Sequence, residues 1–178
     1  MKKTYSDWKL NKTELSGVYK IELSSFEDHR GSYTEIYNKY FFRENNLDIN
    51  FIQDDISISK KNVLRGIHGD KKTWKLISCL HGEFQLIVIN NDINSNEYKK
   101  WTSFILSSEN KSQILIPPNF GNGHLVLSES CIFHYKQNTE YDRSGQFTIK
   151  WNDPEFKFNW KNQNPILSER DKWNIKIS

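Results

Sequence analysis

Residues 83–90 read Glu83-Phe84-Gln85-Leu86-Ile87-Val88-Ile89-Asn90. In an extended chain Phe84, Leu86 and Val88 share one face, and Gln85, Ile87 and Ile89 share the other. Both faces are largely apolar, so the strand must be covered on both sides, as in a double-sheet barrel. The segments around it are built alike. Short apolar runs at 17–23, 32–37, 49–60, 62–68, 74–81, 101–106, 112–116, 124–127, 131–138 and 147–150 are separated by turns. Many short strands at such spacing predict an all-β sandwich or barrel. Helical signals are confined to 40–46 and to the C-terminal Ser168-Glu169-Arg170-Asp171.

Composition agrees with one domain spanning residues 1–178. The core must rest on 11 Phe, 8 Tyr and 6 Trp, types that favour strands. A net charge of +3 without a clustered basic face argues against nucleic acid and leaves room for a cationic pocket holding a small anion. Cys79 and Cys131 sit in apolar runs and read as buried free thiols. The first residues lack the apolar stretch of a signal peptide, and no run approaches a membrane span. A cytoplasmic protein is expected.

Chemistry concentrates in a few blocks. They are Asp28-His29-Arg30-Gly31-Ser32-Tyr33-Thr34-Glu35, Phe51-Ile52-Gln53-Asp54-Asp55-Ile56-Ser57, Val63-Leu64-Arg65-Gly66-Ile67-His68, Ile116-Pro117 through His124, Phe133-His134-Tyr135-Lys136, Trp151-Asn152-Asp153 and Leu167-Ser168-Glu169-Arg170-Asp171. In order and spacing they resemble the dTDP-4-dehydrorhamnose 3,5-epimerase family. Its members read D-x-R-G-x-F-x-E, F-x-Q-D-N-x-S, V-L-R-G-L-H, I-P-x-G-F-x-H-G, F-x-Y-K, W-N-D and L-S-x-K-D along nearly the whole chain. The resemblance implies a cupin, a double-stranded β-helix or jelly-roll barrel. It also implies a homodimer with N-terminal strand exchange, and neither cofactor nor metal. The substrate would be a nucleotide-diphospho-4-keto sugar.

The reaction makes demands of its own. Protons at C3 and C5, α to the ketone, are acidic. Inversion needs a base on one face, an acid on the other, and a cation or donor at the enolate oxygen. By resemblance, His68 is the base, Asp171 orients it, Tyr135 is the acid, and Lys75 and Arg65 stabilise the oxyanion. Arg30, Tyr33, Glu35 and Gln53 would contact the nucleotide diphosphate, the Arg30 segment serving the neighbouring subunit's site. Taken alone, a histidine in a strand is usually structural, and His29, His81 and His134 are read so. Arg65 and His68 are an odd number of residues apart, which in a regular strand puts them on opposite faces. A joint role requires a bulge at the intervening Gly66.

Three departures from the family pattern touch the sugar and base pockets. Asn122 stands where the pattern has His, with His124 two residues on and on the same strand face. Leu86 replaces an Asp, and Glu140-Tyr141 replaces two Tyr. These differences lean toward the branch acting on GDP-4-keto-6-deoxy-heptose in capsule synthesis, by inversion at C3, C5 or both. A dTDP-4-keto-6-deoxyglucose 3,5-epimerase is the alternative. Other classes are a 3,4-ketoisomerase, a non-catalytic sugar-binding cupin and a metal-dependent cupin. The last needs an H-x-H pair that His68-Gly69-Asp70 does not supply.

Overall fold

A computed structural model describes residues 4–173; Met1-Lys2-Lys3 of the N-terminal reading lie outside them. The strands are β1 (Lys9–Lys12), β2 (Tyr19–Glu22), β3 (Ser25–Asp28), β4 (Gly31–Thr34), β5 (Gln53–Lys60), β6 (Leu64–Gly69), β7 (Lys75–His81), β8 (Glu83–Asn90), β9 (Trp101–Ser107), β10 (Ser112–Ile116), β11 (Phe120–Val126), β12 (Ser130–Gln137) and β13 (Phe147–Thr148). Two short helices, α1 (Lys39–Glu44) and α2 (Glu169–Trp173), complete the elements among the described residues. A six-stranded sheet, β1-β2-β10-β7-β12-β5, faces a five-stranded sheet, β13-β6-β11-β8-β9, and β3 pairs with β4 in a separate hairpin. This is the expected all-β jelly-roll barrel.

The double-sided burial expected of β8 is present, with a different partner on each face. Phe84, Leu86 and Val88 join Ile77, Ile114, Ile116 and Phe133 between the two sheets. Ile87 and Ile89 instead meet Trp151, Phe158 and Trp160 of the C-terminal segment. Gln85, on this second face, is reconciled with burial by hydrogen bonds. Its Nε2 donates to Ser103 Oγ and the Asn159 carbonyl, and its Oε1 accepts from Lys161 N. Outside the six-stranded sheet, Tyr5, Trp8, Phe41 and Phe42 cover Ile21, Leu76 and Leu115. The side chain of Asn38 caps α1 by accepting from Tyr40 N, which turns Phe41 and Phe42 inward.

The irregularity expected at Gly66 is there. On β11, Asn122 opposes His68 and His124 opposes Arg65, so Gly123 alone faces both Gly66 and Ile67. Residues 122 and 124 share a face, and their partners Arg65 and His68 therefore share one too. Gly66 has φ +110°, and a Cβ there would lie 2.6 Å from Gly123 Cα and 2.7 Å from the Asn122 carbonyl. Gly66→Ala is expected to cost about 2–4 kcal/mol, from backbone strain and overpacking together. Urea denaturation checks this; an unchanged midpoint would mean that the bulge does not depend on glycine.

Candidate active site

The open end of the barrel holds a cavity of about 520 Å³ lined by residues from both sheets and from α2. β6 supplies Arg65 and His68, β7 supplies Lys75, β11 supplies Asn122 and His124, β12 supplies Tyr135, and α2 supplies Asp171. Seven of the eleven residues expected to form the site therefore meet in one space.

His68 Nε2 lies 2.8 Å from Asp171 Oδ1, and Ser168 Oγ donates to Asp171 Oδ2 at 2.8 Å. Burial alone would raise Asp171. The His68 and Ser168 hydrogen bonds, with the Gly66 backbone N–H, outweigh it and hold the carboxyl below its usual range. Burial pulls His68 below the ordinary imidazole value, against the upward pull of Asp171. The pair therefore stands as carboxylate and neutral imidazole near pH 7. Nε2 faces Asp171, so Nδ1 is the nitrogen left for the cavity.

Tyr135 comes from the opposite sheet. Its phenol is pushed well above the usual range, first by burial and then by Asp55 and Tyr141. It stays protonated and has a proton to donate. Lys75 is 9% exposed and its Nζ donates to Asn122 Oδ1 at 3.3 Å. Burial lowers its ammonium, Asp70 counters that, and Arg170 adds to it. A buried cation interacts strongly with a developing oxyanion, because little water screens it.

Asn122 and His124 do share the cavity, as their same-face spacing implied. His124 lies deep, stacked on Phe133 with centroids 4.0 Å apart, and burial pushes it down to about 3. It is neutral at any working pH, and among the described residues its Nε2 has no hydrogen-bond partner. Leu86 belongs to the core between the sheets.

Four expected contacts are not brought into the cavity by the single chain. Arg30 ends the β3–β4 hairpin in an ion pair with Asp28, and Tyr33 on the same hairpin is 72% exposed. Glu35 accepts from Thr4 Oγ1 and Asn38 Nδ2. Gln53 stands at the rim, its Oε1 accepting from the backbone N–H of Tyr141, a cavity residue.

Sequence reasoning missed Arg143, Gln146 and Arg170. They line the cavity and also an adjoining cleft of about 880 Å³ that contains Lys71 and Lys72. Arg170 is buried, its Nη2 donating to Gln146 Oε1 and Thr148 Oγ1. Its signal was its place beside Asp171 in the last block. Arg143 lies in an irregular loop whose path no periodicity encodes. Among the described residues, no group of three or more His, Cys, Asp or Glu side chains is placed to hold a metal ion. No helix there is long and apolar enough to cross a membrane.

The dTDP-4-dehydrorhamnose 3,5-epimerase family model matches residues 12–178. A dTDP-4-dehydrorhamnose 3,5-epimerase of Methanothermobacter thermautotrophicus is 35% identical over 172 residues, covering 94% of this chain and 93% of the relative. The crystal structure of the enzyme of that name from Elizabethkingia anophelis superposes with a TM-score of 0.86 at 38% identity, covering 93% of each chain. A dTDP-6-deoxy-D-glucose-3,5-epimerase of Legionella pneumophila, solved in complex with dTDP-4-keto-L-rhamnose, gives 0.89 at 31% identity over 93% of this chain and 90% of its own. Match and coverage agree: this chain belongs to the dTDP-4-dehydrorhamnose 3,5-epimerase family.

Proposed function

We propose that the protein inverts C3 and C5 of a nucleotide-diphospho-4-keto-6-deoxy sugar through an enolate, with His68 as base and Tyr135 as acid. The observation that carries this reading is their placement. His68 on β6 and Tyr135 on β12 belong to opposite sheets and line one cavity. Neutral His68 takes a proton from a carbon α to the ketone, and Asp171 stabilises the imidazolium that forms. Lys75 and Arg65 meet the enolate oxygen. Tyr135 returns a proton to the other face, and the centre is inverted. Each step uses a side chain of this chain, so the reading calls for no cofactor.

The sugar occupies the inner cavity in this reading. The diphosphate reaches the adjoining cleft past Arg143 and Arg170, which both spaces share. Guanidinium groups suit two linked phosphates. Tyr141, about half exposed at the mouth, offers a ring to the nucleotide base. The relatives are named for dTDP-linked hexoses, and this supports the dTDP-4-keto-6-deoxyglucose substrate over the GDP-linked heptose. Asn122 in place of the pattern's His is the feature that still points to the heptose.

Arg30, Tyr33 and Glu35 are assigned to a partner subunit's site. The β3–β4 hairpin presents Phe26 at 65% and Tyr33 at 72% exposure and pairs with neither large sheet. A two-stranded hairpin with exposed aromatics is poorly stable unless something covers it. Ile56 and Ile58 of edge strand β5 are exposed as well. A second copy is the proposed cover; a fully active monomer by light scattering would remove this part.

Proton exchange in deuterated water tests the function, with C3 and C5 followed by NMR. The substrates are dTDP-4-keto-6-deoxyglucose and GDP-4-keto-6-deoxy-heptose. Deuterium at both carbons of the dTDP sugar is the expected result. Entry at C3 alone would make the protein a 3-epimerase, and preference for the heptose would move it to the GDP branch. Binding without exchange would favour the sugar-binding reading.

A further inference from the structure

We propose that Asp55 is a positioning residue for Tyr135, fixing the place of its hydroxyl in the cavity. The proposal rests on the acid–base reading above. Asp55 stands directly opposite Tyr135 in the β5–β12 register. Opposed residues of an antiparallel pair have Cβ atoms about 4.5–5.5 Å apart, so the two side chains are neighbours on the inner face. The carboxylate is itself anchored. Its Oδ2 accepts from Gln53 Nε2 at 2.8 Å and from Gln137 Nε2 at 3.5 Å. Gln53 is fixed in turn by the backbone N–H of Tyr141.

Both anchors are neutral amides. Among the described residues no cation forms an ion pair with Asp55; the nearby Lys136 and His134 are taken by Asp54, its neighbour in sequence. A partly buried carboxylate with amide donors only is a strong hydrogen-bond acceptor, and the phenol is the acidic proton beside it. The charge of Asp55 disfavours ionisation of the Tyr135 that faces it. An amide at this position would satisfy the same fold. The family pattern has Asn in this slot, so the charge is a feature of this chain.

The chemistry explains what the charge does. When Tyr135 protonates the enolate carbon, its O–H bond breaks and a C–H bond forms. The negative charge passes from the enolate to the phenolate, and the ketone is restored. A phenolate beside a carboxylate is disfavoured by like-charge repulsion. That repulsion makes Tyr135 a weaker acid, so what Asp55 gives the step is the place of the hydroxyl, and water restores the proton after each delivery.

A double-mutant cycle tests this. Asp55→Asn, nearly isosteric, is expected to lower inversion about tenfold or more in the otherwise unaltered protein. Deuterium exchange on the His68 face should stay within about twofold. In the Tyr135→Phe background the same change should have no further effect on either quantity. Should Asp55→Asn not fold, Asp55→Ser completes the cycle. Equal loss of exchange and inversion, or the same loss in the Phe background, would overturn the proposal in favour of a purely structural role. Absence of exchange in the unaltered protein is a different result: it would overturn the epimerase reading, and this proposal with it.

Discussion

His68→Asn is expected to abolish proton exchange at both C3 and C5, with a loss of about a thousandfold or more in turnover. A positioned general base contributes roughly 10²–10⁴, and no other neutral imidazole stands at a carboxylate in this cavity. Asparagine is smaller and still polar, and Asp171 keeps its hydrogen bond from Ser168 Oγ, so folding should survive. Retention of full exchange would remove His68 as the base. The pH profile gives an independent check. His68 works only as neutral imidazole, and burial holds its pKa below the ordinary value. Activity should therefore be lost as pH falls, with a midpoint below the roughly 6.5 of a free imidazole. Asp171 pulls that pKa upward. In Asp171→Asn the acid limb should move to lower pH while the plateau rate falls, because a less basic imidazole is also a weaker base. A limb that moved up, or stayed in place, would mean that Asp171 acts on something other than His68.

Tyr135→Phe has the second large effect, and its character differs. Proton abstraction by His68 does not need the phenol, so deuterium should still enter from the His68 face. Delivery to the opposite face should fall by about a hundredfold or more. The expected phenotype is exchange with retained configuration, read as deuterium incorporation in recovered substrate with little epimer. A variant matching the original protein in both turnover and product would place the acid elsewhere. The phenol is held protonated by burial and by Asp55, so no loss of activity from its ionisation is expected near neutral pH.

Much of the barrel was legible along the chain. The bounds of β8 and β10 agree with the apolar runs at 83–90 and 112–116, because a short apolar run bounded by turns is too short for a helix and suits a strand buried on both faces. β1 and β3 were missed. Their sequences, Lys9-Leu10-Asn11-Lys12 and Ser25-Phe26-Glu27-Asp28, are polar and mostly exposed, and they are strands only because a neighbouring strand pairs with their backbone. Apolar periodicity cannot report such a pairing. The cover on the second face of β8 was also hidden, since Trp151, Phe158 and Trp160 lie in a segment with no regular period.

The site divides along the same line. His68, Lys75, Asn122, His124 and Tyr135 lie on strands, where spacing fixes the face, and their convergence followed once the barrel and the Gly66 bulge were allowed. Arg143 and Gln146 come from the loop before β13, and no local rule says that this loop folds over the open end. By itself, the sequence determined the all-β architecture, the blocks that mark the family, and the need for an irregularity between Arg65 and His68. Local sterics and hydrophobic alternation act over a few residues, and those features are local. Only the tertiary structure decided that Asp55 stands against Tyr135 and that Arg143 and Arg170 join two cavities. Those contacts depend on strand register and loop path, which the whole packed barrel sets at once.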